Sequence, residues 1–164
     1  MKIVISRKGF DSENGKTASP VMPDGAMLSF PIPSYDNQSF RNVVYEGKNY
    51  MDIWKSLKKC SQNDCFNAAC HLDPDIRKDN RTVREHMENW KPAFGQCNAA
   101  ETHLENNGVG VGDLFMFFGW FRETEEVKGE IKYKRGSKDA HMLYGYLEIN
   151  ELDETQKIYL KKYF

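Results

Sequence analysis

Apolar residues crowd most densely between Leu114 and Phe121, where Leu114, Phe115, Met116, Phe117, Phe118, Trp120 and Phe121 are broken only by Gly119. The run is too short to span a membrane and predicts a strand buried on both faces. Gly119 inside it predicts a bulge or a close backbone approach by a ligand. At the N-terminus, Lys2 to Ser6 reads KIVIS, a short β-branched strand that gives way to the turn-prone run Arg7-Lys8-Gly9-Phe10-Asp11. The segment PVMPDGAMLSFPIP sets Asp24-Gly25 between two apolar stretches, a hairpin signal. Its prolines, Pro20, Pro23, Pro31 and Pro33, confine it to a sheet edge or an extended, irregular path.

In the middle of the chain the period turns helical. Tyr50, Ile53, Trp54 and Leu57 recur at helical spacing, with lysines on the other face. Thr82 and Glu85 form a capping box for a second helix in which Val83, Met87 and Trp90 share a face. Ala99, Ala100, His103 and Leu104 predict a third, stopped by Asn106-Asn107-Gly108. A last strand covers His141 to Ile149, with Met142, Tyr144, Tyr146 and Glu148 alternating against Leu143, Leu147 and Ile149, and a short amphipathic helix follows from Asp153. Strands at both ends around a helical middle predict one α+β domain over residues 1–164, with a mixed or antiparallel sheet and about three short helices.

Composition adds little to that outline but narrows the partners. The 164 residues are 40% hydrophobic and carry a formal charge of −1, which provides no whole-molecule footprint for nonspecific nucleic-acid binding. The exception is local: Lys128, Lys132, Lys134, Arg135 and Lys138 flank Tyr133, either as a solvated hairpin or as a phosphate-contacting tip. Arg7 and Lys8 follow so soon after Met1 that no signal peptide is expected, and the expected location is the cytoplasm without membrane contact. Cys60, Cys65 and Cys70 are spaced by five residues, unlike the close pairs of zinc sites, and are read with Cys97 as reduced thiols. No residue is singled out as a metal ligand on this spacing, although His71 directly follows Cys70, and the sequence leaves metal dependence and cofactor open.

Four places could carry chemistry. Arg7, Lys8 and Asp11 leave a buried strand together, suited either to a phosphate or to a solvent-facing turn with its own Asp–Arg pair. His71-Leu72-Asp73-Pro74-Asp75 places polar groups at alternate positions, so that His71 could act as a general base oriented by Asp73, or the two could ligate a divalent metal. The other reading makes Asp73 a helix N-cap, with Pro74 in the first turn. Gln96, before the third helix, reads a base edge or caps that helix. Phe118, Trp120 and Arg122 would bring rings and a guanidinium to the end of the aromatic strand, a combination suited to nucleotides. His103 and His141 are taken as structural. No phosphate-binding P-loop, dinucleotide fingerprint, nucleophile elbow or zinc-protease helix occurs, so the common cofactor classes have no support.

Five blocks, SRKGFDS, SPVMPDGAMLSFPIP, HLDPDIR, FGQ and GVGVGDLFMFFGWFR, occur in an order that resembles the nucleotide modification associated domain 3 family of bacteria and phages. That resemblance implies a nucleotide-linked role, with Arg7, Lys8, Asp11, His71, Asp73, Gln96, Trp120 and Arg122 inside its motifs. A weaker similarity to PUA-like domains, including the EVE and ASCH groups, covers the GDLFMFF strand and the LYGYLEI strand. It implies a partly open barrel that cradles a base. The expected function is binding of a nucleotide or modified base, with His71 as the acid–base group if a reaction is catalysed. The alternative is a noncatalytic reader of modified DNA, reaching nucleic acid through Lys128–Lys138, or a protein that sequesters a nucleotide. The expected pocket gathers the RKGFD turn, the HLDPD segment and the end of the aromatic strand.

Overall fold

The computed structural model describes residues 1–58, 69–78, 90–152 and 158–160. In chain order these form β1 (Ile3–Arg7), β2 (Ser19–Val21), β3 (Ile32–Ser39), β4 (Val44–Tyr45), β5 (Lys48–Asn49) and α1 (Tyr50–Leu57). Then follow β6 (Ala69–His71), β7 (Ala93–Gly95), α2 (Asn98–Asn106), β8 (Leu114–Val127), β9 (Glu130–Tyr133), β10 (Ala140–Glu148), β11 (Glu151–Leu152) and β12 (Ile158–Leu160). The fold is α+β with both parallel and antiparallel pairing, and no barrel closes among the described residues.

β8 organises the molecule. Its 14 residues are long enough to pair with β1 and β2 in parallel and with β10 and β9 antiparallel, giving a five-stranded sheet. β1 lies against its first half, Ile3 opposite Leu114 and Arg7 opposite Phe118, while β2 lies further on, Ser19 opposite Phe121. Asp113 fixes the start of this arrangement. Its carboxylate accepts the backbone N–H of Lys2 at 2.6 Å and of Gly110 at 3.0 Å, tying the entry of β1 to the entry of β8. Those backbone donors hold its carboxyl below the ordinary value of 3.8, because they favour the charged form.

The expectation that β8 is buried on both faces is not met. Phe115, Phe117 and Phe121 are buried, whereas Leu114, Met116, Phe118, Trp120 and Arg122 between them are half-exposed. An alternating strand has one covered face, even when both of its faces are apolar in sequence. The covered face packs Phe115 and Phe117 against Phe94, with ring centroids 4.8 and 4.9 Å apart, and against Leu104, Leu147 and Ile149. A second cluster gathers Phe10, Phe30, Phe40, Tyr50 and Trp54 around the hairpin and α1.

Gly119 marks no bulge in β8. A Cβ there would lie 2.9 Å from the carbonyl oxygen of Lys8, so the close approach is made by the end of β1. The bulge falls in β10 instead, between Leu143 and Gly145. It breaks the expected alternation and turns Tyr144 inward onto Phe117 and Phe121, while Tyr146 remains outside.

Two of the three expected helices are described. In α1, Asn49 accepts the Asp52 N–H at 2.9 Å and Tyr50, Ile53 and Trp54 are buried, as the spacing predicts. In α2 the chain leaves through Gly108 and Val109, whose N–H groups return to Glu105 and Leu104. The capping box at Thr82 and Glu85 and the cysteines Cys60 and Cys65 lie outside the described residues. Residues 158–160, expected within a terminal helix, are strand β12 and pair with β7. The Asp24-Gly25 hairpin is present, with Met22 and Ala26 hydrogen-bonded and Val21 bridged to Met27.

Candidate functional site

The turn after β1 sends consecutive side chains to different places. Arg7 ends β1 on the exposed side, Lys8 points to the covered side, and Gly9 bends the chain at φ +87°. Ser29 Oγ would stand 2.6 Å from a Cβ on Gly9, so the turn also needs the missing side chain. Phe10 is then buried among Phe30, Phe40 and Trp54. Asp11 closes the turn on itself: its carboxylate accepts the N–H groups of Glu13 and Asn14 at 2.8 and 2.6 Å. The Asn14 N–H is the main reason its carboxyl sits below the ordinary range, and the Arg7 charge adds a little. Asp11 is therefore occupied with the loop.

Lys8 reaches a cleft. Its Nζ lies 3.0 Å from Asp73 Oδ2 and 4.4 Å from the centroid of the Phe94 ring. Both members of the pair are largely shielded, with side chains 12% and 17% exposed, so water screens them less than an ordinary surface pair. Asp73 Oδ1 accepts the Gly95 N–H at 2.9 Å, which joins the HLDPD segment to the FGQ segment. Next along, Asp75 and Ala93 exchange backbone hydrogen bonds at 2.8 and 2.9 Å, and Asp75 also accepts the indole N–H of Trp90 at 3.3 Å. His71 ends β6, held by pairing to Ile32 of β3, and its side chain is exposed at the rim.

The cleft so formed has a volume of about 630 Å³. Lys8, His71, Asp73, Gln96, Cys97 and Ala100 are among the residues that line it. Gln96 donates from Nε2 to the Gly95 carbonyl oxygen at 2.8 Å, so its amide is used beside the cleft and does not cap α2. Cys97 occupies the N-cap position of α2 and makes no side-chain cap bond. The start of that helix, where backbone N–H groups lack intrahelical partners, therefore abuts the same space. Beyond Leu72 and Asp73 lies a smaller cavity of about 70 Å³, lined in part by Ser29, Tyr50, Arg77 and Tyr144. Burial pushes the Tyr144 phenol well above its ordinary range.

Of the residues singled out in sequence, Lys8, His71, Asp73 and Gln96 thus meet in one cleft, although 88 positions separate the first from the last. Arg7, Phe118, Trp120 and Arg122 do not join them. Register puts Arg7 opposite Phe118 on the other face of the sheet, and Trp120 and Arg122 continue the same file. Arg122 is held by Ser137 Oγ at 3.1 Å, by Asp139 at 3.8 Å and by the Tyr133 ring at 4.9 Å. The Asp73 helix cap is also not formed: residues 72–77 are irregular and the Asp73-Pro74 bond is cis. The buried Phe94 ring beneath Lys8 is not among the residues singled out in sequence. Its place in the FGQ block, two residues before Gln96, is the available signal.

Another cleft, of about 500 Å³, lies between α1 and the β8–β9 turn, but its polar groups serve the fold. Asn49 caps α1 and Lys48 pairs with Glu126. Among the described residues no three His, Cys, Asp or Glu side chains group as metal ligands would, and no helix is long and apolar enough to cross a membrane.

The cleft thus gathers a cation, a histidine and an amide from segments far apart in an α+β chain. The family follows from comparison: the description "nucleotide modification associated domain 3" matches residues 2–161, and the chain belongs to that family. An association with nucleotide modification is what the family description carries. No curated protein and no solved structure matches the chain.

Proposed function

We propose that the cleft binds a nucleotide or a modified base, with its anionic group at Lys8 and the start of α2 and its base toward Gln96. The observation that carries this reading is the meeting of Lys8, His71, Asp73 and Gln96 in one hollow, from three of the blocks that mark the family. Lys8 is held over Phe94 by Asp73 and so is placed before any ligand arrives, which reduces the ordering cost of binding. The N-terminus of α2 favours the same charge, since its unpaired N–H groups and the helix dipole both attract anions. Gln96, whose Nε2 donates to the Gly95 carbonyl, lines the cleft with the rest of its amide toward a base edge. His71 stands at the open rim and is the group to accept or donate a proton in any reaction there. Asp73, engaged by Lys8 and by the Gly95 N–H, positions these two sides of the cleft.

Thermal denaturation in the presence of nucleoside monophosphates, triphosphates and base-modified nucleosides tests the reading. A ligand at a hundred times its Kd adds about 2.7 kcal/mol, several degrees in a domain of this size. His71→Ala, at an exposed position, should leave the free protein's melting point within about 2 °C and lower the ligand-induced rise. Gln96→Ala should alter the preference among bases more than the overall rise. No rise with any nucleotide, or an equal rise in His71→Ala and Lys8→Ala, would sink the proposal.

A further inference from the structure

The opposite face of the β1–β8–β10 sheet is open. Ile3 and Ile5 of β1 are 55% and 67% exposed, and Leu143 and Tyr146 of β10 are 52% and 53% exposed. The registers align these strands so that Ile5, Met116 and Tyr146 lie in one row and Arg7, Phe118 and Leu143 in the next. Trp120 and His141 make a third row. A contiguous apolar face left to solvent marks an interaction surface.

Its two ends differ in charge. At the start of β8, Leu114 is flanked by Ile3 and the carboxylate of Glu148. At the other end, Arg7 adjoins Phe118, and Arg122 follows Trp120 on the same file. Arg122 is fixed there by Ser137 and Asp139, which bring the Lys134–Lys138 stretch to that rim. The Phe118 ring is also braced, meeting His141 edge-on at 6.1 Å. Rings and positive charge thus occur together. Successive outward side chains on β8 are about 7 Å apart, a step that one nucleotide of an unstacked strand can span.

A partner that is both flat and anionic suits that end, and single-stranded nucleic acid is both. In a duplex the base faces are stacked away, so rings like these would have nothing to stack on. We propose that this face is a docking surface for single-stranded nucleic acid, with bases stacked on Phe118 and Trp120 and phosphates at Arg7 and Arg122. The site lies across the sheet from the Lys8–His71 cleft and does not depend on the nucleotide reading of it.

The test is fluorescence anisotropy of a labelled oligothymidylate of roughly 12 nucleotides, with a duplex of equal length alongside. The wild-type chain should bind the single strand and prefer it to the duplex. Trp120→Ala and Phe118→Ala should each weaken binding by about five-fold to a hundred-fold. Arg7→Gln should weaken it and lower the salt slope by about 0.7. Lys55→Ala, an exposed cation on α1, should leave affinity and slope unchanged. Trp120→Ala should also keep the nucleotide-induced thermal shift, so the two sites fail separately. Circular dichroism and melting curves establish that each variant is folded. Absence of binding at low salt, or wild-type affinity in both Trp120→Ala and Phe118→Ala, overturns the proposal. So does a wild-type dimer, seen by sedimentation, that Trp120→Ala dissociates and the oligonucleotide leaves intact.

Discussion

The two faces of the β1–β8–β10 sheet are built from the same strands and nearly the same residue types, yet they do opposite work. Phe115, Phe117 and Phe121 fill the covered face, while Met116, Phe118 and Trp120, one residue out of phase, stand half-exposed. Position along β8 explains nothing of this difference, because neighbours in sequence fall on opposite sides. What decides it is what lies across: Phe94 and Leu104 cover one side, and on the other Arg7 and Arg122 follow the rings. Apolar content in a strand therefore reports neither burial nor function until its two faces are separated. The Arg7–Lys8 pair makes the same point in two residues, the first lying on the open face and the second in the cleft.

The sharpest way to break this comparison is to truncate the same ring on each side. Phe117 is fully buried and touches Phe94, Phe115 and Tyr144, so Phe117→Ala should cost about 3–5 kcal/mol through lost burial and the cavity left behind. Phe118→Ala should cost no more than about 1 kcal/mol, since its ring is already partly in water. Urea denaturation of both variants measures the difference. Equal losses would mean that the second face is core in solution.

A smaller effect is expected at the seam between the faces. A Cβ on Gly119 would meet the Lys8 carbonyl oxygen at 2.9 Å and the Phe121 ring at 3.1 Å, and the first contact is backbone that cannot swing aside. Gly119→Ala should therefore destabilise by about 1–3 kcal/mol, the usual cost of overpacking. It should also weaken nucleotide binding, because the displaced segment is the one that carries Lys8. Unchanged stability would show that β1 can move away from β8 without loss.

These cases also show what could be read in advance. The KIVIS strand, the Asp24-Gly25 hairpin, α1 and the Asn106-Asn107-Gly108 stop were legible because each depends on local signals: β-branched runs, a turn pair, helical spacing and a glycine terminator. The motif blocks pointed to the family, and Lys8, His71, Asp73 and Gln96, which share one cleft, lie inside them. Their division from Arg7, Phe118, Trp120 and Arg122 was not legible. It depends on β1 pairing in parallel with β8 in one register, a contact across more than a hundred residues that no local pattern encodes. Tyr144 was misplaced for a related reason, since a bulge in β10 shifts phase without leaving a mark in the apolar alternation.

Acid tests how firmly the two strands are joined at their start. Asp113 is held charged by the backbone N–H groups of Lys2 and Gly110, so its folded carboxyl titrates below 3.8. A depressed carboxyl contributes stability that is present above its unfolded value and is lost as pH falls through the folded one. Stability should thus decline below about pH 4, and Asp113→Asn should flatten that decline while lowering stability near neutrality. Urea midpoints at several pH values check both. A steep acid loss that survives in Asp113→Asn would move the cause elsewhere, Asp11 being the next carboxylate held in the same manner.

The smallest expected effect bears on the open face alone. Asp139 lies 3.8 Å from Arg122, and the two side chains are 48% and 33% exposed, so the pair is worth less than about 1 kcal/mol to stability. Asp139→Asn should therefore hardly move the melting curve. It does, however, remove an anion from the rim where phosphates are proposed to lie. Oligothymidylate binding should strengthen by roughly two- to threefold at low salt, and the gain should fade as salt screens the surface. Weaker binding in this variant would mean that Asp139 aims Arg122 at its ligand. Unchanged binding at low salt would place the phosphates away from Arg122, leaving Arg7 as the cation of that face.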